Sequence, residues 1–445
     1  MKEVKLTLKV ITPLFMGGAN QQAELRSQSI KGIIRYWWRA LKANENLENL
    51  KNEESKIFGG YIKKEKELEA ISSNIKLFVK IINFTLGDNN FTLGDNIKND
   101  FDLKWSFNKE EKKLYGDNYG IGYLFYSVLN RQYYKPETKF EIRIYSRNEE
   151  YLKQALAALW CAIYLGGFGA RSRRGAGSCV VEDILGNVTD INFIPNDQNI
   201  VSWYKNNFYK CVNLIGKNDS FVYPYSNLSI SRILVSKKQF SKWFDALNDL
   251  GKKYSDFRYE NRVNKFKVGS FGLPVMHSNG QKLLAIKRIN NENNKKINRR
   301  SSPLIFRIIE FNKNFYWIVL RLAGEFLPDE YVLSFNNKTQ KADYNLIDKF
   351  WNSLKQDQDN NAEECVINLP IELIKLKERL SNNGIKKIIL FGSKARGDFN
   401  KKSDTDLAID NKLTFDLVGN YDIVNLKDKI DENLKQKIRE EGIEI

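Results

Sequence analysis

Residues 3–11 place Val4, Leu6, Leu8 and Val10 at period two, the pattern of a strand with one buried face. A Gly-bearing loop, Phe15-Met16-Gly17-Gly18, follows. From Ser29 to Ala43 the apolar residues Ile30, Ile33, Ile34, Trp37, Trp38 and Leu41 recur at helical spacing, which predicts a helix with Ser29 as its N-cap. Leu77, Val79 and Ile81 predict a second strand, and Phe140, Ile142 and Ile144 a third. Leu152, Leu156, Leu159 and Ile163 give a second helix stopped by Gly166-Gly167, and Val180-Val181 open a fourth strand. The resulting order, β-α-β-β-α-β, is the ferredoxin-like, RRM-type plan.

The pattern then changes. Residues 197–345 read as a second mixed region, with a helix around 237–250 carrying Phe240, Trp243, Phe244, Leu247 and Leu250, strands at 303–310 and 315–322, and an Asn-rich loop at 290–298. The stretch LKQDQDNNAEE has almost no apolar content and reads as a linker. Beyond it lie a helix at 370–382 and the apolar strand Ile388–Phe391. The expected division is 1–190, 197–345, a linker at 354–369, and a small unit at 370–445. Between the second and third strands NFTLGDN occurs twice in tandem, at 83–89 and 90–96, a slippage duplication in a tolerant surface loop with no function assigned.

Length agrees with that division, since 445 residues correspond to about three domains. Lys+Arg number 71 against 54 Asp+Glu, a net charge of +17, whereas residues 371–445 carry 15 against 14. Nearly all of the surplus therefore precedes the last unit. It suits a polyanionic partner, whose neutralised phosphates release counterions; the alternative is the solvated surface of a Lys- and Asn-rich protein. Cys161, Cys179, Cys211 and Cys365 lie far apart and His277 is the only histidine, which argues against a zinc site or a disulfide framework and excludes mechanisms needing two histidines. No apolar core of a signal peptide and no run of about 18 apolar residues occurs, so the expectation is a cytoplasmic protein without membrane association.

Two basic motifs bear on the partner. Lys31, Arg35 and Arg39 recur at i, i+4 and i+8, so their heads line one helix face that either tracks a phosphate backbone or is simply solvated. The loop GGFGARSRRGAGS at 166–178 joins glycines, which let backbone approach a ligand, to Arg171, Arg173 and Arg174, whose guanidinium forks suit phosphate oxygens. With its R-x-x-S-x-K-G-x-x-R core and this glycine loop, together with FGLP at 271–274 and RRSSPL at 299–304, the chain resembles the RAMP superfamily of CRISPR-associated RNA-binding proteins. Within it the likeness is to first subunits of the type III-B Cmr effector complex. The matching positions are Arg26, Ser29, Lys31, Gly32, Arg35 and Arg39, then Gly166, Gly167, Gly169, Arg171, Arg173, Arg174, Gly175 and Gly177. The resemblance implies two ferredoxin-like folds in tandem, in a non-nuclease subunit near the end of a guide-RNA complex that holds guide RNA and target RNA beside other RAMP subunits. His277, in PVMHSNG, has no neighbours that specify a general base and reads as structural. The G-G-D-D signature of the complex's large cyclase subunit is absent.

The last unit carries a different chemistry. Gly392-Ser393 follows the apolar strand, and ten residues later comes Asp404-Thr405-Asp406. Turn amides there can meet nucleotide phosphates, and carboxylates two apart on a strand share a face on which Mg²⁺ can bind. Asp422 is the third carboxylate, with Asp416 a competitor for that place. This pattern looks like that of minimal nucleotidyltransferases of the polymerase-β superfamily, a small α/β domain. That resemblance implies Asp404, Asp406 and Asp422 as catalytic Mg²⁺ ligands and Gly392, Ser393 and Arg396 as NTP triphosphate contacts. Two functions follow: an RNA-binding complex subunit whose tail is accessory or vestigial, or an Mg²⁺-dependent enzyme moving an NMP to a protein or RNA hydroxyl, with the RAMP part as its targeting module.

Overall fold

The computed structural model describes the 445 residues other than 21, 44–45, 65–66, 83–92, 197–198, 220–222, 224, 277–279, 288–295, 329, 358–361, 397–398 and 400–402. His277 and most of the tandem repeat therefore lie outside the described residues. Strand β1 (Lys2–Val10) alternates as its sequence requires and fully buries Val4, Leu6, Leu8 and Val10. Helix α1 (Ser27–Lys42) begins earlier than expected: Arg26, not Ser29, occupies the N-cap position, without a side-chain cap bond. It is followed by α2 (Leu47–Phe58), whose first amides are capped by the Asn46 side chain. Next come β2 (Lys76–Ile81), α3 (Tyr119–Phe125), β3 (Lys139–Ser146), α4 (Glu149–Tyr164) and β4 (Cys179–Leu185). The sheet order is β4-β1-β3-β2, antiparallel throughout, with α1 packed on α4.

Helix α5 (Ile200–Ile215) leads into β5 (Asn227–Ser236), α6 (Trp243–Glu260), β6 (Leu304–Phe311), β7 (Asn314–Ala323), α7 (Asn345–Lys355) and β8 (Ala362–Asn368). Their sheet, β6-β7-β5-β8, is also antiparallel. Numbered within each sheet, both have the strand order 4-1-3-2, and in both a helix follows the first and third strands. Helix α6 starts after residue 242, not near 237, because Phe240 exchanges backbone hydrogen bonds with Phe315 and stays extended. The expected linker at 354–369 is corrected more sharply. Its C-terminal half is β8, paired with β5 from Ser231↔Asn368 to Ser236↔Ala362, and Glu364 in it is held by the Lys355 ammonium and the Trp351 indole N–H. Polar residues that looked solvated have partners.

One continuous apolar core runs through both sheets, from Val4 to Ile367. The last unit has its own. There α8 (Ile371–Asn382), β9 (Ile388–Phe391), α9 (Gly392–Arg396), β10 (Thr405–Ile409), β11 (Tyr421–Asn425), α10 (Glu432–Glu441) and β12 (Ile443–Glu444) form a sheet of order β11-β10-β9-β12. Its pair β10/β11 is parallel and the others antiparallel. Leu373, Leu380, Leu390, Leu407 and Ile443 fill its core, which Ile230 of β5 joins. The whole is a mixed α/β protein, and among the described residues no helix is long and apolar enough to cross a membrane.

Candidate functional site

Two of the carboxylates predicted for the last unit, Asp406 and Asp422, lie side by side at one edge of its sheet. Asp406 on β10 is the register partner of Asp422 on β11, so in this parallel pair the two side chains leave the same face next to each other. Asp404 immediately precedes β10 and is exposed. Asp416 lies outside the strands, and its carbonyl accepts from the Arg379 guanidinium. Burial, then the charges of Asp422 and Asp404, raise the Asp406 pKa above its ordinary value, against the lowering pull of Arg396 and Lys437. Lys437, on α10, was not singled out by sequence reasoning, since only folding over the sheet brings it near.

Gly392 ties the turn to this cluster. Its φ is +75°, and a Cβ built on it falls 2.0 Å from Asp406 Oδ2, so any side chain here would displace the carboxylate. Ser393 is half-buried on the same turn. Arg396, expected as a triphosphate contact, donates from Nη1 to Glu441 Oε2 at 2.5 Å, and its carbonyl accepts from Arg321 Nη2 at 3.0 Å. Arg321 is in turn ion-paired with buried Asp348. Arg396 therefore joins the last unit to the second sheet. The hard oxygen donors of Asp404, Asp406 and Asp422 suit Mg²⁺, although among the described residues no three acidic, Cys or His side chains are drawn together closely enough to hold an ion.

The basic motifs are placed less simply. Arg35 Nε and Arg39 Nη1 both reach Glu54 Oε1, at 2.6 and 2.5 Å, and Lys31 Nζ donates to Ser73 Oγ at 2.6 Å. The face expected to be open to phosphate is thus partly engaged by Glu54 of α2, with the Arg35 and Arg39 side chains still 32% and 40% exposed. Arg173 donates to Ser302 O and Tyr36 OH. Arg174 donates to Leu304 O, Phe271 O and Tyr254 OH, and burial lowers its pKa. Both arginines fasten the glycine loop to the second unit. Most of the glycines serve packing within the first unit instead: a Cβ on Gly166 would meet Trp37 at 2.7 Å, on Gly167 Ala176 O at 3.0 Å, and on Gly169 Phe15 O at 2.5 Å, whereas one on Gly175 would meet Leu247 of the second unit at 2.4 Å. Gly177, with φ +61°, would strike Phe168 O at 1.9 Å. Arg26, at the start of α1, is exposed, and Arg171 stacks 4.4 Å over the exposed ring of Tyr126.

Comparison with known proteins matches residues 7–180 to the family described as RAMP superfamily, and residues 374–443 to Polymerase beta, Nucleotidyltransferase. The chain is 32% identical over 201 residues to the CRISPR system Cmr subunit Cmr1-2 of Pyrococcus furiosus, covering 41% of this chain and 96% of that protein. It is 24% identical over 316 residues to Cmr1-1 of the same organism, covering 67% and 80%. Its fold is similar to the crystal structure of apo Cmr1 from Pyrococcus furiosus, with a TM-score of 0.53 at 20% identity over 83% of this chain and 99% of that one.

Proposed function

The chain belongs to the RAMP superfamily and, within it, to the Cmr1 subunits of CRISPR systems, and on that premise we propose that it is an RNA-binding subunit of a type III-B effector complex. In this reading both antiparallel sheets are ferredoxin-like, and the protein holds guide RNA and target RNA beside other RAMP subunits. The observation that carries it is the 32% identity extending over 96% of a Cmr1 subunit. The surplus of positive charge before the last unit supports it physically. Arg26 and Arg171 are motif cations offered to phosphate, Lys31, Arg35 and Arg39 are partly exposed beside Ser73 and Glu54, and Arg173 and Arg174 fasten the glycine loop to the second unit. Affinity for a single-stranded guide-length RNA, measured across a salt series, tests this. A linear loss of affinity with rising log salt is expected, and no saturable binding at low salt would reject it.

A second activity is proposed for the last unit on the placement of Asp406 beside Asp422 and against Gly392. Mg²⁺ held by Asp404, Asp406 and Asp422 would neutralise an NTP's triphosphate and favour attack by an acceptor hydroxyl. The Gly392-Ser393 turn would receive the phosphates. Replacing Asp404 and Asp406 by Asn keeps shape and removes charge. Label transfer from each α-labelled NTP to protein or RNA should vanish in that double variant, with RNA binding kept. Undiminished transfer would reject the site.

A further inference from the structure

Where the first two units meet, a cleft of about 820 Å³ opens between the hairpin of Ser106–Asn108 and Lys113–Tyr115, helices α3 and α6, and the segment after α6. That volume lies within the range of roughly 300–1,000 Å³ typical of ligand sites. Its rings are unusually open for a water-facing surface: Phe107 is 57% and Tyr126 66% exposed. Arg262 stacks 3.5 Å over Tyr259 on the same wall. Among the described residues none of Lys112, Arg258, Arg262 and Lys265, which line it, is paired with a carboxylate. Asp256, at its edge, is already engaged by Lys113 Nζ at 3.0 Å and by the Tyr119 hydroxyl at 2.5 Å.

We propose that this cleft holds unstacked bases of single-stranded RNA, Phe107 and Tyr126 providing the stacking faces and Lys112, Arg262 and Lys265 neutralising the passing phosphates. The inference rests on the RNA-binding reading above and adds a location and a strand state to it. Exposed rings alone would suit an apolar protein surface as well. Unpaired cations beside flat rings favour an occupant with negative charge along its backbone and π-faces on its side groups. Duplex RNA offers the charge without the faces, because its bases remain stacked inside the helix. The cleft should therefore discriminate by strand state more than by sequence.

The test uses the full chain and a 12-nucleotide oligouridine, with an RNA duplex of equal length as the comparison. Phe107→Ala with Tyr126→Ala, the latter also freeing the Arg171 stacked on that ring, should weaken oligouridine binding about tenfold or more, and Phe107→Ala alone should weaken it while leaving duplex binding unchanged. Lys112→Gln with Arg262→Gln and Lys265→Gln should flatten the salt dependence by about three phosphates. A 5-iodouridine probe should crosslink to Phe107 or Tyr126. Unchanged oligouridine affinity in both variants, with crosslinks elsewhere, would overturn the cleft and leave the RNA-binding reading standing. No binding of either RNA by the wild type would overturn both. Capture of a protein subunit that Phe107→Ala with Tyr126→Ala abolishes, with RNA affinity unchanged, would overturn the cleft in favour of a protein partner.

Discussion

Arg174 distinguishes a cation that pins two units together from one that binds phosphate. Replacing it with Met keeps an unbranched apolar stem but removes every donor. Phe271 O, 3.2 Å from Nη2, and Leu304 O, 3.4 Å from Nη1, then lose their partner, whereas Tyr254 OH keeps the Arg258 guanidinium at 3.3 Å. At about 1–3 kcal/mol for each buried acceptor left unsatisfied, two give about 2–6 kcal/mol. Contacts of the guanidinium with the rings of Tyr254 and Phe306, at 5.0 and 5.1 Å, add about 0.5–2 kcal/mol each. Against these stands the recovered cost of burying the cation, several kcal/mol, so the net destabilisation is on the order of 3 kcal/mol. Arg171→Met is the control, an outward residue expected to change stability by about 0.5 kcal/mol or less. Urea unfolding followed by tryptophan fluorescence should show a lowered midpoint for Arg174→Met and none for Arg171→Met. The salt dependence of RNA binding should show the converse, falling by about one phosphate for Arg171→Met only. If Arg174→Met keeps its midpoint and loses salt dependence as Arg171→Met does, the assignment of Arg174 to the interface is wrong.

Gly392→Ala forces a Cβ to within 2.0 Å of Asp406 Oδ2 at φ +75°; nucleotidyl transfer should be abolished at a cost of about 1–2 kcal/mol in stability, read by label transfer alongside thermal unfolding. Glu54→Ala removes the shared acceptor of Arg35 and Arg39 and should lower stability by about 2 kcal/mol, with RNA affinity unchanged or raised as two cations are released; calorimetry and filter binding check this. Deleting 370–445 should leave a folded RNA-binding protein. Deleting 354–445 also strips β8 from β5, all ten of whose residues are buried, and should give aggregated material by size-exclusion chromatography.

Local periodicity made β1 and β2 readable because one face of each is solvated or lightly covered, as their alternating burial records. It failed on β5, NLSISRILVS, because that strand is buried on both faces and holds Arg232 within it, beside Glu364 and over Trp351. β8 was hidden for the matching reason, since its glutamate answers that arginine across the sheet. Burial and the neighbouring Arg321 push Arg232 down to about 10, still a cation at neutral pH, so both partners look like surface residues in one dimension. The glycine loop illustrates another limit. Its composition announces close approach, but a glycine that admits Trp37 and one that admits a phosphate are the same letter. At the carboxylates spacing left Asp416 and Asp422 in competition, and register is what brings Asp422 beside Asp406 on a parallel partner strand. The aromatic and basic residues of the interface cleft come from segments over a hundred residues apart, although KKLYGDNYGIGYLFY and FRYENRVNKFK each interleave the two types.

Helices α3 and α6 cross backbone to backbone: a Cβ on Gly120 would lie 2.4 Å from Asn248 O, and one on Gly251 2.5 Å from Gly120 O. Each glycine is therefore useful only while the other is present, and they sit in different units of the chain. A chimera joining the first unit of one homologue to the second unit of another would meet this condition before any question of RNA arises. Both donors must bring a glycine to the crossing, or the graft opens by at least a methyl group along a seam that also floors the cleft. Domain shuffling in such a chain is limited by a two-residue key, and recombination breakpoints should be better tolerated before α8, where only the last unit changes hands.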